Sequence, residues 1–234
     1  MHDQLLGSTQ PVLSISLEPG ESIVAETGEF AWMTDSIQMA ADALAATAGS
    51  LQLSAYTAKD AAGIIAFASR LPGSIVGIDV APGREYLVHR RAFLAGTPGI
   101  EVSTGFRQML GAGEEAPAEE FILRRIGGRG RAWVELSGDV VRRDLAAGTS
   151  LRTHPWHIGM SDASVAVQMA DGAHHFAVLS GPGAVWLQSM PLLVAPQGQL
   201  AASAARTVPA AEGAAGPVVP QPGSQHHTVN PKSR

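Results

Sequence analysis

The chain contains no cysteine. That absence excludes disulfides, thiolate nucleophiles and cysteine-based zinc or iron–sulfur centres together. It suits a reducing compartment, and the sequence is read as cytoplasmic. Lysine is almost missing too: Lys59 and Lys232 are the only two, so the basic residues are nearly all arginine. Charged residues make up 16% and the net charge is -5, which disfavours bulk polyanion binding. No apolar run approaches the ~20 residues needed to span a bilayer, so no membrane span is expected. Met1-His2-Asp3-Gln4 lacks the basic and apolar regions of a signal peptide. Helical periodicity is scarce. Only the Ala-rich stretch Met39 to Ala48 and the single turn Phe106 to Leu110 read as short helices.

What the sequence does have is turns. Pro-Gly occurs at Pro19-Gly20, Pro72-Gly73, Pro82-Gly83, Pro98-Gly99 and Pro182-Gly183. Proline presets φ at the second turn position and glycine accepts a positive φ at the third. Between the turns lie short apolar runs such as Val12–Leu17, Ile75–Val80, Ala132–Leu136 and Ala184–Leu187. Strands this short, at regular spacing, indicate an all-β sandwich or barrel. From Pro196 large apolar residues nearly vanish in favour of Ala, Gly, Pro, Ser and Gln. Such a segment cannot bury enough surface to offset the entropy of ordering it. The expected organisation is therefore one all-β domain over 8–195 and a disordered Ala/Pro/Gly-rich tail over 196–234.

Three segments align without gaps on Gly20, Gly83 and Gly148, which lie 63 and 65 residues apart. Eight residues before each glycine stand Val12, Ile75 and Val140. Three after stand Ile23, Tyr86 and Leu151, and ten after stand Phe30, Phe93 and Ile158. This predicts one β unit used three times around a shared core. A strand pair is expected before each unit, Phe121–Trp133 leading into the third. The first unit starts too near the N-terminus to have its own, so the Phe176–Trp186 pair is expected to complete it and close a ring.

The chemistry is sparse. Arg124, Arg125, Arg129, Arg131, Arg142 and Arg143 cluster in one hairpin region, where alternation would put several on one face. Two readings stand: an anionic-ligand or nucleic-acid backbone site, or a solvated or subunit face paired with Glu119, Glu120 and Glu135. His154 and His157 flank Pro155-Trp156, and a turn there, with His174 and His175, would give a cupin-like metal centre. The plainer reading is packing and a turn, with no metal and no cofactor. Gly127-Gly128-Arg129-Gly130 is followed by neither Lys-Ser/Thr nor a helix and reads as a hairpin turn. Trp32, Trp156 and Trp186 read as core or interface.

Several stretches carry a family likeness: Glu18-Pro19-Gly20-Glu21 with Gly28-Glu29-Phe30-Ala31-Trp32-Met33, then Leu71–Ile75, Ala92-Phe93-Leu94-Ala95, and Ser180-Gly181-Pro182-Gly183-Ala184-Val185-Trp186-Leu187-Gln188. In these the chain resembles the altered-inheritance-of-mitochondria family and its bacterial relatives. Ala40–Ser50 and Ala112–Glu120 depart from the family's more Gly-rich pattern. The resemblance implies a fold like the trp RNA-binding attenuation protein, assembly into rings, often trimers, and no established enzymatic activity. The mitochondrial member's link to the inner membrane is not carried over, since no transit peptide is visible. The expected role is a non-enzymatic, self-assembling scaffold or binding module, a homotrimer with an unidentified protein partner; the alternatives are a nucleic-acid or anionic-ligand binder using the arginine hairpin and a cupin-like histidine-metal enzyme.

Overall fold

The computed structural model describes residues 1–44, 51–110, 119–170 and 176–191. The expected tail, 196–234, lies outside these residues. Among the described residues the secondary structure is strand, apart from one 3-10 turn, Pro155–His157. β1 (His2–Leu6) is followed by β2 (Val12–Leu17), β3 (Ser22–Glu26), β4 (Trp32–Met33), β5 (Ile37–Leu44), β6 (Leu53–Ala58) and β7 (Gly63–Ala68). Next come β8 (Gly73–Val80), β9 (Tyr86–His89), β10 (Phe93–Gly96), β11 (Ile100–Leu110), β12 (Glu119–Gly128) and β13 (Gly130–Ser137). The last are β14 (Val140–Leu145), β15 (Ser150–Thr153), β16 (Ile158–Asp162), β17 (Ala166–Met169), β18 (Ala177–Ser180) and β19 (Gly183–Gln188). All pairings are antiparallel.

After β1 the strands pair in three like stretches of six, β2–β7, β8–β13 and β14–β19. Within each, the first and third strands flank the sixth, and the second and fourth flank the fifth. Neighbouring stretches are stitched by the second strand of one and the third of the next, β3 to β10 and β9 to β16. The result is two six-stranded sheets, β5-β6-β3-β10-β13-β8 and β11-β12-β9-β16-β19-β14. The corresponding β15–β4 pairing is not made, which leaves a four-stranded sheet, β1-β2-β7-β4, and a three-stranded one, β15-β18-β17.

The three aligned glycines sit in the same turn. Their φ angles are +85°, +79° and +79°. The residue after each donates its backbone N–H three residues back: Glu21 to Glu18 at 2.9 Å, Arg84 to Ala81 at 2.8 Å, Thr149 to Ala146 at 3.0 Å. A glycine with positive φ at the third position is the type II requirement.

Three expectations are corrected. The Trp186 strand does not cover the N-terminal stretch; β19 lies between β14 and β16, Trp186 opposite Arg142 and Met160. The strand pair follows each glycine rather than preceding it. Units that abut without linkers give the sequence no mark of where one ends. The aligned apolar residues also do not share one core. Ile23 and Ile75 are buried with Leu13, Phe67 and Trp133, whereas Tyr86 and Phe93 are buried with Val88, Ile126 and Met160, Val140 packing against them. Finally, Phe106–Leu110 and the described part of the Ala-rich stretch, 39–44, are strand rather than helix; 45–48 lie outside the described residues. β5 takes up the start of the Ala-rich stretch by pairing Met39 with Tyr56 and Ala40 with Ala55. Phe106–Leu110 pairs along β12, so ladder hydrogen bonds outweigh local propensity.

Candidate functional site

The six arginines do not converge. Arg124 and Arg125 lie on β12 and Arg142 and Arg143 on β14, four strand spacings away in the same sheet, roughly 19 Å at the usual interstrand distance. Arg131 is on β13 in the other large sheet, and Arg129 caps the turn between β12 and β13. Arg124, half-buried, donates from Nε to the Arg90 carbonyl at 3.1 Å, and burial lowers its pKa from the usual arginine value. Arg125 pairs with Glu85 at 2.6 Å and Arg142 with Asp144 at 2.6 Å. Arg143 donates to the Arg142 carbonyl at 3.1 Å. Glu120 and Glu135 pair with Arg107 and Arg70 rather than with this set.

His154 and His157 are brought together by the turn at Pro155, with ring centroids 6.2 Å apart. His157 Nδ1 is 2.7 Å from the Gln188 carbonyl and so donates to it. His174 and His175 lie outside the described residues. Among the described residues no group of three or more His, Asp or Glu is placed to hold a metal ion.

The Gly181-Pro182-Gly183 motif is a turn docked on the Gly148 turn. Gly181 N donates to the Thr149 carbonyl at 3.0 Å. A Cβ at Gly181 would stand 2.6 Å from the Leu145 and Ala146 carbonyl oxygens, so only glycine allows the approach. The motif thereby launches β19 and sets Trp186 at the wall of a cleft of about 780 Å³.

This cleft brings several polar and aromatic groups together. It lies where the turn after β8 (Gly83 to Tyr86), the turn after β16 (Asp162 to Ser164), and β14 with β19 meet. Arg84 donates from Nε to the Tyr86 hydroxyl at 3.1 Å. Tyr86 meets Trp186 edge-on at 6.3 Å between centroids. Arg142 places its guanidinium 5.4 Å from the Trp186 ring centroid, a cation–π arrangement. Asp162 Oδ2 accepts the Ala184 backbone N–H at 2.7 Å. No histidine or lysine lines the cleft. Its lining offers two guanidiniums (Arg84 and Arg142), an indole, a phenol and two carboxylates (Glu85 and Asp162). Tyr86 stood out in the sequence only as an aligned apolar position, and Arg84 and Asp162 not at all, because they reach Trp186 from segments far away along the chain.

A second feature is the outer face of the sheet β1-β2-β7-β4. Leu13, Ile15, Leu17, Ile65 and Phe67 point inward and are fully buried. On the other face, cross-strand rows run His2–Ser16–Ile64, Gln4–Ser14–Ala66–Trp32 and Leu6–Val12–Ala68. None of these residues is Asp, Glu, Lys or Arg. Trp32 is 51% exposed, and Ile64 and Leu6 are each 42% exposed.

No helix among the described residues is long and apolar enough to cross a membrane. None of the curated proteins matches the chain significantly. Among solved structures, the crystal structure of protein SPYM3_0169 from Streptococcus pyogenes is similar in fold, with a TM-score of 0.65 at 17% identity, covering 86% of this chain and 97% of that one. The profile of the mitochondrial biogenesis AIM24 family matches residues 4–190, and the chain belongs to that family.

Proposed function

We propose that the chain is a non-enzymatic, self-assembling scaffold or binding module built from three copies of one six-strand unit, and that it works as a closed homo-oligomer, a trimer by family resemblance. The observation that carries this reading is the uncharged outer face of the β1-β2-β7-β4 sheet. Most monomer surfaces intersperse charge, and a contiguous apolar patch usually marks an interface. Here Trp32, Ile64 and Leu6 stand exposed among Ser14, Ser16 and Ala68. Aromatic enrichment with depletion of charge is the composition of an interface centre. A second copy of the chain is the occupant that needs no further component, and closed symmetry then limits growth.

The nucleic-acid reading has no comparable support, with six separated arginines and a net charge of -5. The cupin-like metal reading rests on His154 and His157 alone among the described residues.

The test is charge placed on the patch. Trp32→Glu with Ile64→Glu should leave the fold intact, because exposed positions away from caps and turns typically change stability by only about 0.5 kcal/mol each. The variant should sediment as a 24.2 kDa monomer while keeping the wild-type circular dichroism spectrum. An unchanged assembly would remove this face from the interface.

A further inference from the structure

The repeated pairing puts two tryptophans in equivalent places. Trp133 on β13 stands opposite Gly77 of β8, and Trp186 on β19 stands opposite Arg142 of β14. Each indole carries a guanidinium. Arg131 Cζ is 5.7 Å from the Trp133 centroid and Arg142 Cζ is 5.4 Å from that of Trp186. The two arginines come from different strands. Arg131 precedes Trp133 by two residues on the same strand, and Gly77 opposite leaves room for it: a Cβ there would lie 2.7 Å from its Nη2. At the second place the arginine sits at the Gly77 position, as Arg142, and Ala184 replaces Arg131. The guanidinium on the indole is thus kept although its source differs.

The first place is filled by the chain itself. β1 adds antiparallel to the outer edge of β2, with Asp3 opposite Ile15. Trp133 Nε1 donates to Asp3 Oδ2 at 3.1 Å, and Arg131 Nη2 lies 3.7 Å from the same oxygen. The Met1 ammonium pairs with Glu21, the residue just after the turn glycine. The second place has no such strand. β8 ends its sheet, and among the described residues no strand pairs with its outer edge; only Gly73, its first residue, is engaged, donating its N–H to the Thr9 carbonyl at 2.9 Å. No acceptor among the described residues takes the Trp186 indole N–H, and the cleft opens beside it. At the position of Glu21 stands Arg84, so the charge at that end is reversed.

We propose that the Trp186 cleft binds an extended acidic peptide segment, which adds as a strand to the outer edge of β8. One carboxylate accepts from the Trp186 N–H beside Arg142, as Asp3 does at Trp133. A second carboxylate, two residues earlier and therefore on the same face of the strand, meets Arg84 where Met1 meets Glu21. Strand addition supplies main-chain hydrogen bonds, and the alternate side chains supply selectivity. Asp162 is engaged with the Ala184 N–H, and Glu85 with Arg125. Asp144 holds Arg142 only through an exposed pair, which a ligand displaces cheaply. The proposal goes beyond the assembly reading and does not depend on it.

The experiment follows the indole N–H signals of the full chain by NMR, with Trp186 assigned through Trp186→Phe. The probe is an N-acetylated, C-amidated hexapeptide reproducing residues 1–6 with aspartate in the first position. The Trp186 signal is expected to shift saturably. The same peptide with both aspartates changed to asparagine should bind at least tenfold more weakly. Arg84→Glu, at an exposed turn position, should weaken the acidic peptide at least tenfold and favour one with a free amino terminus. The proposal is overturned by an unmoved Trp186 signal at millimolar peptide. Equal responses to the acidic and amide peptides, a shift confined to Trp133 through displacement of β1, or unaltered affinity in Arg84→Glu would each overturn it too.

Discussion

At the residue scale, His89 shows what the fold asks of a single side chain. It is fully buried against Phe121 and Trp156. Its Nδ1 accepts the Arg91 N–H at 3.5 Å, and its Nε2 has no hydrogen-bond partner among the described residues. Burial first, then the nearby positive charges of Arg90 and Arg91, pushes its pKa down to about 3 from an ordinary 6.5. The native state therefore stays neutral at this ring while the unfolded chain takes a proton. Stability is complete above about 6.5 and falls as pH drops towards about 3, at roughly 1.4 kcal/mol per pH unit for one such group. His89→Phe should flatten that part of the pH–stability curve measured by urea unfolding; an unchanged slope would assign acid lability elsewhere. The turn glycines make a second claim. No heavy atom lies within 4 Å of where a Cβ would stand at Gly20, Gly83 or Gly148. Alanine there is penalised by the positive φ alone, about 1–2 kcal/mol. Gly20→Ala, Gly83→Ala and Gly148→Ala should lower stability in urea by similar amounts, and one near-zero value would show that its turn is not equivalent.

At the scale of elements, the turns at Pro19-Gly20 and Pro82-Gly83 were the most legible feature, because Pro-Gly acts locally through φ; Gly73 and Gly99 do not take the positive φ expected after their prolines. Val12–Leu17 and Ile75–Val80 read as strands from their alternation, and both are. The Ala-rich stretch was misread because its strand character comes from pairing β5 with β6, a tertiary effect. The same limit governs the site. Trp186 stood out within Gly-Pro-Gly-x-Val-Trp, yet its neighbours Arg84 and Tyr86 come from the turn after β8. The six arginines looked clustered along the chain, but a hairpin and a strand at a far sheet edge separate them in space. Proximity in sequence says little where neighbouring strands belong to different pairings.

At the scale of the whole molecule, one face of an otherwise charge-bearing β domain lacks charge and exposes Trp32 and Ile64. The six-strand pattern also breaks at β4 and β15, each of which ends its sheet among the described residues, β4 at the border of that face. Both features favour assembly with further copies. Sedimentation equilibrium of the wild-type chain tests this most directly. The account expects a single species of three times 24.2 kDa, persisting on dilution to micromolar concentration. A 24.2 kDa monomer under those conditions would contradict it.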